Sequence, residues 1–379
     1  MKKRVALFHP WIKSKGGGEK VVLEILKSKK YDVDVYTWVY NPSKTFSEFK
    51  KYNINVIAPK FAERFSRYFL LRSIFLPISF FSKIPLEKYD LFLISTSGLA
   101  EIITFRNYKK GGTFAYVHTP LRAATKDIIK WNLNKRYKNI FSKAVYLLST
   151  RIYNLLERRA WKNIDWAIFN SELSFKRAKD KKLVENADVI YPPVDVDKFK
   201  KINIKEGNYF LCVSRFNNNK RQDLLLDVWK KFVKMYPDKK LILAGGIENK
   251  RYYSRLKKKA AGIKNIEFIV SPSDKKIVNL YAGCLAGIFV PYQEDFGIVP
   301  FEFLAAGKPL IAVDKGGYVN LIKGLPQVYL AREGDNLEQE LIDNMKRFLK
   351  DSGNKKERFT LPNNFVKEIE KSLKRHSSR

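Results

Sequence analysis

Short apolar runs alternate with amphipathic helical patterns along almost the whole chain, and that alternation constrains the fold more than any other feature. "RVALFHP", "GGGEKVVLEILKS" and "DVDVYTWV" read as a strand, a glycine loop entering a helix, and a second strand. "DLFLISTS", "TFAYVHTP" and "DWAIFNS" supply three further strands. The pattern restarts with "NYFLCVSRF" (strand), "QDLLLDVWKKFVKMY" (helix), and "KLILAGG" and "IEFIV" (strands). It then runs through "DKKIVNLYAGC" (helix), "AGIFVPY" (strand), "IVPFEFLAAG" (helix) and "PLIAVD" (strand). Strands alternating with helices imply βα units and parallel sheets. Between the halves, "VIYPPVDVDKF" (189–199) carries two prolines and no period, and reads as a linker.

A chain of 379 residues is too long for one ordinary core. The expectation is an α/β protein of two Rossmann-like, doubly wound domains facing each other across a cleft. The first spans 1–188, a linker 189–205, the second 206–355, and a terminal helix in 356–379 returns to the first domain. At 45% hydrophobic and 14% aromatic residues, the chain has enough apolar surface to fold. Its two cysteines, Cys212 and Cys284, lie in apolar runs and form no disulfide framework, which fits a reducing, cytoplasmic compartment. The start, "MKKRVALFHPWIK", has an apolar stretch too short for a signal peptide and reads as the first strand.

Lys plus Arg number 73 against 38 Asp plus Glu, a net charge of +35. Such a chain attracts nucleic acid, an anionic membrane surface or phosphate-bearing substrates. No run reaches the ~18–20 apolar residues of a spanning helix. "RYFLLRSIFLPISFFSK" (67–83) and the basic, aromatic region 130–163 suit a bilayer interface, the plainer alternative being ordinary core helices. An anionic membrane surface is preferred to nucleic acid, because no nucleic-acid-binding motif accompanies the charge. The chain is therefore expected at the cytoplasmic face of a membrane, peripherally bound.

Ligands of open α/β sheets sit at the carboxyl ends of strands, often against helix N-termini. "VPYQEDFGIVPFEF" is such a place: Glu294 falls in the turn, Pro300 in the first helical turn, and Glu302 about one turn in. The amides of Phe296, Gly297 and Ile298 are expected to point into a pocket there. A buried carboxylate needs hydrogen-bond donors, and sugar hydroxyls supply them in pairs; helix capping is the bland alternative. "VSRFNNNKRQD" places Arg215 after a strand and Lys220 before a helix, a spacing able to grip a diphosphate, though also compatible with a solvated turn. Carboxylates for hydroxyls and cations for phosphates describe a nucleotide-sugar site. In the first half, the glycine loop "KSKGGGEK" allows close backbone approach to a ligand, and "YVHTPLR" puts His118 at a strand end, with Arg122 following. The pairs Asp32/Asp34 and Asp195/Asp197 are DxD-like but read as structural, and no metal site is expected.

Taken together these motifs resemble glycosyltransferase family 4, retaining enzymes of the GT-B fold. "EDFGIVPFE" is similar to the family's paired glutamates, "SRFNNNK" to its diphosphate element, and "GGGEKVV" to its N-terminal loop. "FNSELSFKRAK" and "VIYPPVDVDKF" resemble the segment leading into the linker. "YVHTPLR" with "EDFGIVP" looks most like the GDP-mannose-dependent mannosyltransferases of bacteria and archaea. The resemblance implies a metal-independent enzyme with no cofactor, which moves a hexose, mannose from GDP-mannose, to a lipid-linked or polysaccharide acceptor. It implies that Glu302 holds the donor ribose and Glu294 the sugar hydroxyls, while the amides of Phe296, Gly297, Ile298 and Val299 contact sugar and phosphate. Arg215 and Lys220 would stabilise the leaving diphosphate, His118 would touch the donor sugar, and Gly17 and Gly18 would close over the phosphates. Arg122 is assigned to the acceptor side. Base choice is expected from backbone contacts near "FIVSPSD" (268–274), around Val270. Two departures touch donor contacts: Asn320 stands where the family usually has a glutamate, and "LAGGIENK" differs from its usual glycine pattern. A UDP-sugar-dependent transferase, a UDP-sugar isomerase, and a non-catalytic relative that binds anionic membranes or nucleic acid are the alternatives.

Overall fold

The computed structural model describes residues 2–60, 62–65, 75–135, 137, 139–200, 202–203, 207–292, 294–351, 357–362 and 364–377. Residues 67–74 of the aromatic segment, and Gln293 beside Glu294, lie outside the described residues. Two compact units form: Met1–Pro193 with Asn364–Arg379, and Val194–Asn363.

Among the described residues, the first unit contains a seven-stranded sheet. Its order is Ile54–Val56, Asp32–Thr37, Arg4–Phe8, Leu91–Thr96, Thr113–Val117, Trp166–Phe169 and Asp188–Val189, and every pairing is parallel. The chain winds outward from Arg4–Phe8 in one direction, then from Leu91–Thr96 in the other. The winding therefore reverses between those two strands, and an α/β sheet binds its ligand at such a reversal. Apolar clusters cover both faces, one around Phe8, Trp38, Phe92 and Phe169, the other around Leu7, Val22, Leu93 and Tyr116. The terminal helix Phe365–His376 adds Phe365, Ile369 and Leu373 to the second cluster, with Phe365 edge-on to Tyr116 at 5.6 Å. Ser372 fastens it by donating to Asp188 at 2.6 Å.

The second unit contains a six-stranded parallel sheet among the described residues, in the order Ile266–Val270, Lys240–Gly245, Tyr209–Val213, Ala286–Phe289, Leu310–Val313 and Val328–Ala331. Here the winding reverses between Tyr209–Val213 and Ala286–Phe289. Helix Gln222–Met235 buries Leu225, Leu226, Trp229, Phe232 and Val233 at three- and four-residue spacing, so one face packs on the sheet. Pro237, just beyond, disfavours helical backbone at Tyr236 and ends it. Asn249 and Ser273 cap the next two helices by accepting from the amides of Tyr252 and Lys276.

Both cysteines are buried and free. Burial pushes the Cys212 thiol up to about 11 and Cys284 up to about 12, so neither is a reactive thiolate. Asp34 accepts from Asn53 and Tyr89, a structural role. Among the described residues no cluster of three or more His, Cys, Asp or Glu is arranged to hold a metal.

Candidate functional site

In the second unit, the loops leaving the two strands at the winding reversal carry Lys220 and Glu294. The Lys220 ammonium donates to Glu294 Oε2 at 2.7 Å, with both side chains largely buried. The Tyr292 amide donates to Asn219 O at 2.8 Å and the Gly317 amide to Glu294 O at 2.9 Å, so three loops are stitched around the pair. Arg215, beside them in sequence, instead pairs with Glu248 at 3.0 Å and is 69% exposed. An exposed pair of that kind contributes little to stability and leaves the guanidinium easy to redirect toward an anion.

Helix Ile298–Ala305 begins just past Glu294. Gly297, preceding it, has φ 85° and ψ 91°, in a region that favours glycine. A Cβ there would sit 2.9 Å from the Tyr318 ring and 3.4 Å from Glu294 Cγ. The first helical amides, Ile298 and Val299, have no intrahelical acceptor, and Pro300 removes an N–H that would have had none either. Phe296 is buried with its ring stacked on Phe301 at 5.2 Å, so its side chain anchors the turn. The helix therefore begins, with two amides lacking an intrahelical acceptor and the positive end of its dipole, a few residues after Glu294.

Glu302 lies on this helix and is partly buried. Its Oε2 accepts from the Tyr281 hydroxyl at 2.5 Å, and burial followed by the Glu302 charge pushes the Tyr281 phenol pKa well up. The carboxylate among phenylalanines thus has a protein hydroxyl as one partner. Val270 ends the outer strand Ile266–Val270, paired with Gly245 and 41% exposed.

Sequence reasoning missed Arg221, next to Lys220. It occupies the left-handed region (φ 52°, ψ 36°) between the turn Asn218–Lys220 and helix Gln222–Met235. Its guanidinium forks onto Glu333 at 2.6 and 2.9 Å, and Nε donates to Val290 O at 2.7 Å. Glu333, 112 residues away, carries no local signal of this role.

In the first unit, His118 follows Thr113–Val117 and is buried. Gly17 opens helix Gly17–Lys27, and Gly18 lies against the His9 and His118 rings: a Cβ on it would be 3.1 Å from His9 Cε1 and 3.5 Å from His118 Nε2. Arg122 is half-buried in the short turn Arg122–Ala124. His9 and Ser95, adjacent to His118, were not anticipated as site residues.

Residues 194–365 match the family model described as glycosyl transferases group 1, a span that coincides with the second unit. The match is to that unit, and covers a little under half of the chain. Among curated proteins, the chain is 26% identical to the alpha-1,3/1,6-mannosyltransferase ALG2 of Dictyostelium discoideum, over 83% of this chain and 82% of the relative. It is 25% identical to the human GDP-Man:Man(3)GlcNAc(2)-PP-Dol alpha-1,2-mannosyltransferase, over 83% of this chain and 73% of that protein. Among solved structures, Anabaena Alr3699/HepE in complex with UDP and glucose superposes with a TM-score of 0.67 at 17% identity, covering 98% of this chain and 99% of that one. WaaG, a glycosyltransferase involved in lipopolysaccharide biosynthesis, gives 0.64 at 15%, covering 99% and 95%. These structural likenesses establish the fold as GT-B, with two Rossmann-like units.

Proposed function

We propose that this chain, a hexosyltransferase, moves mannose from GDP-mannose to a hydroxyl of a lipid-linked or polysaccharide acceptor, with retention of configuration and without a metal. The Lys220–Glu294 pair beside the amino end of helix Ile298–Ala305 carries the reading. A cation and helix-start amides suit a diphosphate, and a carboxylate beside them suits sugar hydroxyls. The printed activities of the mannosyltransferase relatives support mannose and a lipid-linked acceptor. In the proposed step, the acceptor oxygen attacks the anomeric carbon on the face from which the diphosphate leaves. The carbon–oxygen bond to the β-phosphate breaks, and the acceptor's hydroxyl proton passes to the departing phosphate oxygen. Lys220 and Arg215 meet the charge that grows there. Glu294 positions the sugar and moves no proton, and Glu302 holds the ribose. Contacts from His118, Gly17, Gly18 and Arg122 to donor or acceptor belong to the same proposal, as do those of Val270 to the base. UDP-sugar use is the second reading, favoured by solved relatives that hold UDP and glucose.

A peripheral membrane site is part of the proposal. No helix of the described residues is long and apolar enough to cross a membrane. Helix Ile140–Trp161 instead exposes Phe141, Val145, Leu148, Ile152 and Leu155, spaced four, three, four and three residues apart, so they form one stripe. Arg151, Arg158 and Arg159 are exposed beside it, while Glu157, the helix's single acid, is fully buried. An apolar stripe with cationic flanks suits an anionic bilayer surface.

The test is transfer of labelled mannose from GDP-mannose to membrane extract, alongside thermal shifts with GDP, UDP and ADP. Loss of transfer in Lys220→Ala and Glu302→Gln, with the largest shift for GDP, is expected. Full activity in both variants, or equal shifts with all three nucleotides, would overturn the reading. Sedimentation with phosphatidylglycerol vesicles but not phosphatidylcholine ones, abolished by Leu148→Asp with Leu155→Asp, is the outcome expected for the surface.

A further inference from the structure

Three strand ends of the first unit meet at its winding reversal, and their side chains form a chain of contacts that no sequence motif announces. Ser95, on strand Leu91–Thr96, is fully buried. Its Oγ lies 3.0 Å from His9 Nδ1 and 3.0 Å from His118 Nε2. The two imidazoles stand edge to face with centroids 6.3 Å apart, both at least nine-tenths buried. Gly18 packs on them from the following helix, and the Tyr116 ring lies edge-on to His118 at 5.2 Å.

A serine hydroxyl has one proton. For both 3.0 Å contacts to be hydrogen bonds, Ser95 donates to one ring nitrogen and accepts from an N–H on the other ring. If it donates to His118 Nε2, that ring carries its proton on Nδ1, and His9 must carry its proton on Nδ1 to donate back. If it donates to His9 Nδ1, then His9 is protonated on Nε2, and so is His118. The rings are therefore both Nδ1–H or both Nε2–H, and neither can switch alone. A charged ring would escape this rule, but burial pulls both pKa values down. For His118 the value falls to about 3, with His9 as the second cause, while at His9 burial outweighs the Glu19 charge and the hydrogen bonds to the Ser95 and Trp11 backbone.

We infer that Ser95 and His9 are positioning residues that lock His118 into a tautomer matched to that of His9. A ligand hydroxyl that donates to His118 Nδ1 selects the state in which His9 bears its proton on Nε2; one that accepts from His118 Nδ1 selects the opposite. The lock thereby ties the polarity that His118 offers a ligand to the protonation of His9. Its use in sugar transfer rests on the function proposed above, but the tautomer rule itself does not.

The chain has three histidines, His9, His118 and His376, so nitrogen-15 spectra of histidine-labelled full-length protein are assignable by single substitutions. His376, stacked on Trp166 at 3.6 Å away from this cluster, serves as the internal reference. In the unsubstituted protein at neutral pH, His9 and His118 should both be neutral and show the same tautomer. In Ser95→Ala the coupling is gone, so the tautomer populations of the two rings should shift independently of each other, and kcat for sugar transfer should fall about tenfold, the equivalent of one lost hydrogen bond. Opposite tautomers in the unsubstituted protein would overturn the inference, and so would an unchanged pattern in Ser95→Ala. The first of those measurements needs no variant, so the inference stays testable if Ser95→Ala does not fold. Because the spectra need no substrate, failure of the mannosyl reading would appear separately, as absent transfer by a protein whose tautomers still match.

Discussion

Arg221 permits a quantitative test of how the second unit holds the loop that carries Lys220. A non-glycine residue in the left-handed region costs about 1–2 kcal/mol, and here φ is 52°. The fork onto Glu333 and the bond to Val290 O offset that cost; hydrogen bonds to charged groups contribute about 1.5–3 kcal/mol net. Both side chains of the pair are at most 15% exposed, so solvent screens the interaction only weakly. Arg221→Ala removes the fork but keeps the strain, and should destabilise by about 2–4 kcal/mol. Arg221→Gly removes both, so it should be about 1 kcal/mol more stable than the alanine variant. That gap corresponds to about 2–4 °C in the unfolding midpoint of a unit this size. Urea titration of the full chain, with amide hydrogen exchange followed across helix Gln222–Met235, reads the ordering directly. If the alanine and glycine variants unfold alike, or glycine is the weaker, the backbone is not strained and the argument fails.

Gly297→Ala should cost about 2–4 kcal/mol, combining left-handed strain with a Cβ 2.9 Å from the Tyr318 ring. Tyr318 is fully buried and donates to Val313 O, so it cannot yield cheaply; a urea midpoint unchanged from that of the parent would contradict this. The Glu157 carboxyl is pushed up to about 7, chiefly by burial and then by Glu101, against the opposing Lys181. A raised folded-state acid makes the protein lose stability as pH rises from about 4.5 to about 7. Relative to the parent, Glu157→Gln should thus gain stability across that window and hold the difference above it. A difference independent of pH in denaturation curves would refute the assignment. Glu294→Gln separates two roles: sugar transfer should fall at least 100-fold, while GDP alone should bind as tightly or a few-fold tighter, because Lys220 is released from its 2.7 Å partner. Calorimetric titration showing weaker GDP binding would mean that the pair must stay intact for the nucleotide.

The central strands were legible because "RVALF", "LFLIST" and "TFAYV" are continuous apolar runs, buried almost throughout. Ile54–Val56, Asp188–Val189 and Val328–Ala331 were not, since each lies at a sheet edge, is two to four residues long and is only partly buried, leaving no run to detect. The site divides along the same line. Lys220 and Glu294 were readable because each sits at a strand-to-helix turn, a position with a local signature. Arg221–Glu333, His9–Ser95 and Tyr281–Glu302 join residues 112, 86 and 21 positions apart, and neither partner carries a mark of the other. A carboxylate in an apolar helix demands a donor, and from sequence a ribose hydroxyl meets the demand as well as any. Tyr281 meets it from inside the protein at 2.5 Å, so burial of the acid is evidence for a hydroxyl without saying whose. Lys220 and Glu294 differ in this respect: their charges meet at 2.7 Å on the loops leaving the two strands between which the winding of the sheet reverses, just before the helix Ile298–Ala305 begins.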